Sequence, residues 1–301
     1  MYIIINSILY ILTNTFSVLG IKLNNHLYNY NNFFISSFYL NIFYPIIFIL
    51  YLSYYKNFNN ISFTLFKISL LCSFLFLLEN ILIYYSINNT LLSIYVIART
   101  SISIFNLFFK KYYHKNQISI YNYIAIISLL FSYLFLLIDT FNELNINIII
   151  PFFLLLLSGF ITSLYSNIYE KKFKELHNQE ILGSKLFIKF KITSFLIFNS
   201  LSFLTLIPIS LFHINNISQN YNINIIFFIT GFCSQIFSII RIFLLTVNNI
   251  DGNKLVAGLD LFRRIIMNLL SYLYFNDKFN NLILISNLLM FLGSVILLFK
   301  K

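Results

Sequence analysis

The chain has 301 residues, of which 59% are hydrophobic and 10% charged, with a mean hydropathy of +0.83 and a formal net charge of +11. Soluble globular domains carry about 25% charged residues, so this chain has too little polar surface to face water on every side and fits an integral membrane protein. Its two cysteines, Cys72 and Cys233, lie in separate apolar runs, which excludes a disulfide framework and a cysteine metal site.

Ile, Asn, Tyr, Phe and Lys dominate, and Trp is absent. These five residues share AT-rich codons, so stripes of Phe and Tyr read as packing or lipid-facing residues, not as aromatic sites. A membrane helix needs roughly 20 apolar residues, and ten such spans follow one another along the chain. The first, 2–21, has no basic segment before it and no small-residue cleavage site after it, so it reads as a membrane helix and not as a signal peptide. The second is 33–54. The third, 68–85, carries Glu79. The fourth, 91–109, carries Arg99 in the run VIARTSISIFNLFF. Arg99 precedes Lys110 by eleven residues, about 16 Å of helix. That depth is near the middle of a hydrocarbon core about 30 Å thick, too far for a side chain to snorkel to the surface. The fifth span, 121–138, closes a first half of residues 1–140.

The second half, 141–301, begins with the sixth span, 146–169. A long basic connection over 170–185 follows, within EKKFKELHNQEILGSK. It is either a solvated loop or a stretch lying on the membrane surface. The seventh span is 186–212. The eighth, 223–247, holds Arg241 near its cytosolic end. The ninth, 256–273, holds Asp260, Arg263 and Arg264, and the tenth is 282–299. Asn88 in NNT and Asn216 in NIS match the N-glycosylation pattern on the non-cytosolic side.

Lysine placement orients these spans. Fourteen of the sixteen lysines lie in loops after even-numbered spans, at the adjoining edge of the span that follows (Lys189 and Lys191), or at the C-terminus, and two, Lys22 and Lys278, lie in loops after odd-numbered spans. The cytosolic side carries the Lys and Arg excess, so both termini are expected in the cytosol. The net positive charge is then a basic cytosolic face, not a nucleic-acid surface. Ten spans divide as five plus five. An odd number per half makes the second half enter from the opposite side, an inverted-topology repeat of the kind transporters use. The last span pair of each half carries an arginine early, in ARTSISIF in one and FRRIIMNL in the other, then a polar turn and an apolar helix.

All four arginines and two acids, Glu79 and Asp260, fall inside spans. Ionisable groups at that depth are expensive and mark functional sites. They occupy spans three and four and spans eight and nine, which the repeat makes equivalent. Asp260 precedes Arg263 by three residues and Arg264 by four, spacings that permit a same-face ion pair. Four cations against two anions favour an anionic ligand. Glu79 is also a candidate for proton coupling. The alternative is that these charges only hold helices together. An integral-membrane enzyme is disfavoured, because His26, His114, His177 and His213 sit in separate loops and no HExxH or GxSxG occurs. No filter loop or charged ring points to a channel, and no cofactor or metal site is expected.

The stretches ENILIYYSINNT and YVIARTSISIF, the YEKK that begins at Tyr169 and the LDLFRR that begins at Leu259 carry a likeness to a family. On them the chain resembles the drug/metabolite transporter superfamily, and within it the nucleotide-sugar-transporter-like solute carrier family 35, F branch. The resemblance implies an all-α membrane fold of ten helices in a five-plus-five inverted repeat. It puts Arg99 at the family arginine, Glu79 near the family acid, Asp260 and Arg263 on the family's LDslRt pair, and Tyr169 and Glu170 on a YEEK-like motif whose second Glu is Lys171 here. It implies a secondary-active transporter, antiporting or proton-coupled, for a nucleotide sugar or related small polar solute. The membrane would be the Golgi, the endoplasmic reticulum or a vacuole- or lysosome-like compartment, with the plasma membrane left open and a homodimer possible. Relatives that move drugs, amino acids or cations make an exporter of the same fold the alternative. The topology has a direct check. A cysteine added after Lys301, with Cys72 and Cys233 changed to Ser, should react with an impermeant thiol reagent only from the cytosolic side; labelling from the other side would overturn the lysine count.

Overall fold

A computed structural model describes residues 2–28, 38–39, 41–54, 63–113, 119–142, 146–179, 199–201, 203–204, 207, 221–245, 252–275 and 281–299. Among them the regular structure is all helical: α1 (Tyr2–Tyr28), α2 (Phe43–Tyr54), α3 (Phe63–Asn89), α4 (Leu92–Ala98), α5 (Ser101–Tyr112), α6 (Ile120–Asn142), α7 (Ile146–Gln179), α8 (Tyr221–Leu245), α9 (Gly252–Phe275) and α10 (Asn281–Phe299). Six described stretches are long and apolar enough to cross a membrane: Ile4–Tyr28, Lys67–Asn89, Leu92–Phe109, Ile120–Asp139, Ile148–Ile168 and Tyr221–Ser238. The chain is a multi-pass helical membrane protein.

The distribution of polarity explains why these helices suit lipid. On α3 the buried face carries Ser69, Ser73, Glu79 and Asn80, while Leu70, Leu71 and Phe74 are exposed. A helix in water would do the reverse. In hydrocarbon the outward face must be apolar, and polar groups must find partners inside the bundle.

Contacts along the helices give their relative directions. α1 lies along α8, with Tyr10 against Phe237 and the Asn24 side chain donating to the Ile223 carbonyl. One residue number rises as the other falls, so the pair is antiparallel. α3 and α7 are antiparallel in the same way, through Cys72 with the Tyr165 carbonyl and Glu79 with Thr162. α6 and α10 are a third antiparallel pair. Ser132 Oγ donates to the Ser286 carbonyl at 2.8 Å, Ser286 Oγ lies 2.6 Å from the Ser132 carbonyl, and Ser128 Oγ donates to the Leu289 carbonyl at 2.8 Å. In contrast, α9 runs parallel to α1, and α5 runs parallel to α7.

Glycines sit where these helices approach most closely. A Cβ on Gly20 would stand 2.9 Å from Thr230 Cβ, and one on Gly159 would stand 3.2 Å from Ser101 Cβ and 3.3 Å from the Ile102 nitrogen. Small residues serve this purpose between membrane helices, where packing replaces the hydrophobic effect.

The structure corrects several boundaries. The fourth span is two helices, α4 and α5, joined by a turn at Arg99 and Thr100. There the backbone tightens to three-residue steps, Thr100 N to Ile97 O at 3.0 Å and Ser103 N to Thr100 O at 2.9 Å. The Thr100 hydroxyl also takes the Ile97 carbonyl, at 2.7 Å, competing with the regular helical bond. The sixth span does not end at 169. α7 continues to Gln179 and is 34 residues long, about 51 Å, so 170–179 is helix and not loop. The sequence KKFKELHNQ is made largely of good helix formers, which carry the helix on past the apolar stretch. The first span likewise continues to Tyr28. The seventh span, 186–212, lies almost wholly outside the described residues. At the NNT sequon, Asn88 and Thr90 are buried at the end of α3, at 7% and 4% exposure, and the Thr90 hydroxyl bonds Ser86 O. In the folded protein that sequon is therefore not accessible from outside. Asn216 lies outside the described residues. The close α1–α8 approach predicts that Gly20→Val will destabilise the protein by about 1–3 kcal/mol, read as a lower melting temperature in detergent; an unchanged melting temperature would mean that this contact is not tight.

Candidate functional site

Glu79 projects from the middle of α3 and is buried. Its Oε1 accepts from Arg99 Nη2 at 2.9 Å and from Thr162 Oγ1 at 2.6 Å, and its Oε2 accepts from the Tyr165 hydroxyl at 2.7 Å. Arg99 stands at the turn between α4 and α5. Its Nη1 donates to Ser158 Oγ at 3.1 Å and to Thr162 Oγ1 at 3.3 Å. The ion pair is nearly dry, with the arginine side chain 14% exposed and the glutamate 5%.

α7 supplies the oxygens because Ser158, Thr162 and Tyr165 are spaced by four and then three residues and share one face. Gly159 beside them removes the bulk that would hold that face away from Ser101. Both carboxylate oxygens and both terminal guanidinium nitrogens therefore have partners. In a low-dielectric interior this strengthens the pair and makes loss of either member costly. One residue further on, Thr100 Oγ1 lies 2.7 Å from the Tyr133 hydroxyl of α6, tying the turn to a third helix.

The second cluster is built on α9. Asp260 Oδ1 accepts from the Tyr10 hydroxyl of α1 at 2.9 Å, and Arg263 Nε lies 3.7 Å from the same oxygen, an ion pair beyond hydrogen-bond distance. Arg263 Nη1 donates to Asn14 Oδ1 at 3.1 Å. Arg264 turns to α10, where Nη1 donates to Ser294 Oγ at 3.2 Å. The Nε atoms of Arg263 and Arg264 are buried, and neither has a hydrogen-bond partner among the described residues. Asn268 Nδ2 donates to Asn287 Oδ1 at 2.6 Å, about one turn further along α9. α4 packs against α9, and Arg99 and Arg264 are within electrostatic range of one another.

Of the six charged residues picked out by sequence, the structure joins Glu79 to Arg99 and Asp260 to Arg263, and it turns Arg264 away from Arg263 towards α10. Arg241 lies on α8, and Tyr169 and Glu170 lie on α7, but their side chains are outside the described residues. Sequence reasoning missed the neutral partners Tyr10, Asn14, Ser158, Thr162, Tyr165 and Ser294. The four-then-three spacing on α7 was a usable signal; Tyr10 had none, because tyrosine is abundant throughout. Lys22 was also misplaced. It is not a loop residue but lies in α1, where its Nζ donates to the Ile87 carbonyl at 3.2 Å and to the Thr90 carbonyl, with Asn25 Nδ2 on the Asn88 carbonyl at 2.8 Å. These groups answer the open carbonyls at the end of α3, and the cation sits at the negative end of its dipole. Among the described residues no group of three His, Cys, Asp or Glu side chains is arranged to hold a metal.

No family model matches the chain, and no curated protein matches it. The Glu79–Arg99 geometry makes a stability prediction. Arg99→Met leaves a buried carboxylate without its cation and should cost about 3 kcal/mol or more; adding Glu79→Met should recover most of that in thermal unfolding. A single variant as stable as the parent would show that the pair does not hold the bundle.

Proposed function

We propose that the chain is a secondary-active transporter for a small polar metabolite carrying negative charge, such as a nucleotide sugar or related solute. It works by alternating access between two inverted five-helix repeats, in an intracellular endomembrane. The observation that carries this reading is the pairing of helices. Under a five-plus-five repeat, the first span corresponds to the sixth and the third to the eighth. The α1–α8 contact is then the counterpart of the α3–α7 contact, and both are extensive and antiparallel. The α6–α10 contact is its own counterpart, and Ser132 and Ser286 face each other there with hydroxyl and carbonyl exchanged.

Direction supports the same count. α7 is antiparallel to α3, and the C-terminal ends of α1 and α3 meet through Lys22 with Ile87 and Thr90 and Asn25 with Asn88, so two spanning helices here would end on the same side. α8 is antiparallel to α1. α7 and α8 would then point the same way, which is consistent with the return passage expected of the seventh span.

The charged residues favour a substrate at the interface of the repeats. The clusters centre on the α4–α5 turn and on α9, equivalent places in the two halves, and they face α7 and α1, the first helices of each half. Arg99, Arg263 and Arg264 against Glu79 and Asp260 leave one positive charge in excess among the described side chains. An anion would balance it. Purified protein in proteoliposomes should catalyse counterflow of one or more of nucleotide sugars, sugar phosphates and acidic amino acids. Uptake restricted to organic cations would overturn the anionic substrate, and the absence of any counterflow would overturn transport.

A further inference from the structure

The two clusters occupy equivalent places but are chemically unequal. At Arg99 a carboxylate lies 2.9 Å away, and two further oxygens take the other arm. At Arg264 one arm reaches the neutral Ser294 hydroxyl at 3.2 Å, and Nε is buried with no partner among the described residues. The carboxylate one turn earlier, Asp260, already accepts the Tyr10 hydroxyl and forms its ion pair with Arg263. The Asp260 charge acts on Arg264 from one turn earlier without bonding it among the described residues, and Arg263 and Arg99 oppose that attraction. A guanidinium is permanently charged and has five N–H donors in a planar fork. Partly buried, with Nε shut off from water and one neutral acceptor on Nη1 among the described residues, it has less compensation than a buried charge requires.

We propose that Arg264 receives the anionic group of the substrate, and that Arg99 is a positioning residue held by Glu79 that never touches substrate. This rests on the transport reading and sharpens it. The group is an oxyanion, a carboxylate or a phosphoryl group, because two oxygens match the fork formed by Nε and one terminal nitrogen. Ser294 stands beside that fork as a second hydrogen-bonding group for the ligand.

The assignment predicts opposite stability effects for the two arginines. Arg99→Met strands Glu79 and destabilises. Arg264→Met removes a partly buried charge that no carboxylate bonds among the described residues, so without ligand it should melt at a higher temperature than the parent, while anion counterflow falls about tenfold or more. Arg264→Lys keeps the charge without the fork and should retain part of the counterflow. The double variant Glu79→Met/Arg99→Met removes the ion pair as a unit and should fold, as the single variant Arg99→Met should not. Glucose 1-phosphate and glucuronate serve as the phosphoryl and carboxylate arms, and at least one should raise the melting temperature of the parent but not of Arg264→Met. Phosphatidylglycerol in the detergent serves as a third arm; a rise with this lipid alone would give the site to a headgroup and overturn the substrate assignment. A parent protein without anion counterflow would overturn the transport reading. Anion counterflow unchanged by Arg264→Met, or a lower melting temperature for that variant, would overturn the role of Arg264.

Discussion

Within a bilayer a carboxylate and a guanidinium stay charged only if protein groups replace the water that each has lost. The Glu79–Arg99 pair meets that condition with hydroxyls from a single face of α7. Its requirements fix the local architecture. α3 must present Glu79 inward, α7 must carry small and hydroxylated residues where others would carry leucine, and the chain must turn at Arg99 so that its side chain enters between them. Gly159 and Ser101 bring α7 and α5 together at the same level. A stretch of sequence that looks merely apolar is therefore constrained at most positions near this pair.

The second half solves the same problem less completely. α9 also carries arginines next to a helix from the other half of the chain, α1, and a tyrosine of that helix also donates to the acid, as Tyr10 does to Asp260 and Tyr165 does to Glu79. The acid now lies on the same helix as the arginines, three and four residues before them. From there it can approach one of the two, and it reaches Arg263 at 3.7 Å. Placing acid and base on one helix leaves their geometry to helical spacing, whereas Glu79 and Arg99 on separate helices can adjust until the fit is tight.

Charge was the most legible feature of the sequence, because lipid makes each misplaced ion expensive. Arg99, Glu79, Asp260, Arg263 and Arg264 could be singled out on that ground, and the membrane class followed from composition. The partners were not legible in the same way. Ser158, Thr162 and Tyr165 are ordinary residues that acquire their roles from a face of α7 turned towards Glu79. The turn at Arg99 carries neither Gly nor Pro, the usual marks of a break; it arises from the Thr100 hydroxyl competing for a backbone carbonyl. Hydropathy locates the apolar part of a helix and not its ends, which is why α1 and α7 run on past the predicted limits into polar sequence.

The lysine on α1 has a mechanical meaning. Lys22 and Asn25 hold the last carbonyls of α3, so near this end α1 and α3 behave as a single stiff strut. Separating them would expose helix-end carbonyls and a cation together. The α4–α5 turn lies elsewhere in the bundle, at a place where the backbone has already given up part of its regular bonding. The turn is therefore held by its side chains, through Glu79, Ser158, Thr162 and Tyr133, where its own backbone bonds are irregular. The strut holds the spacing of α1 and α3 at their ends by the reverse device, side chains that complete a helix terminus.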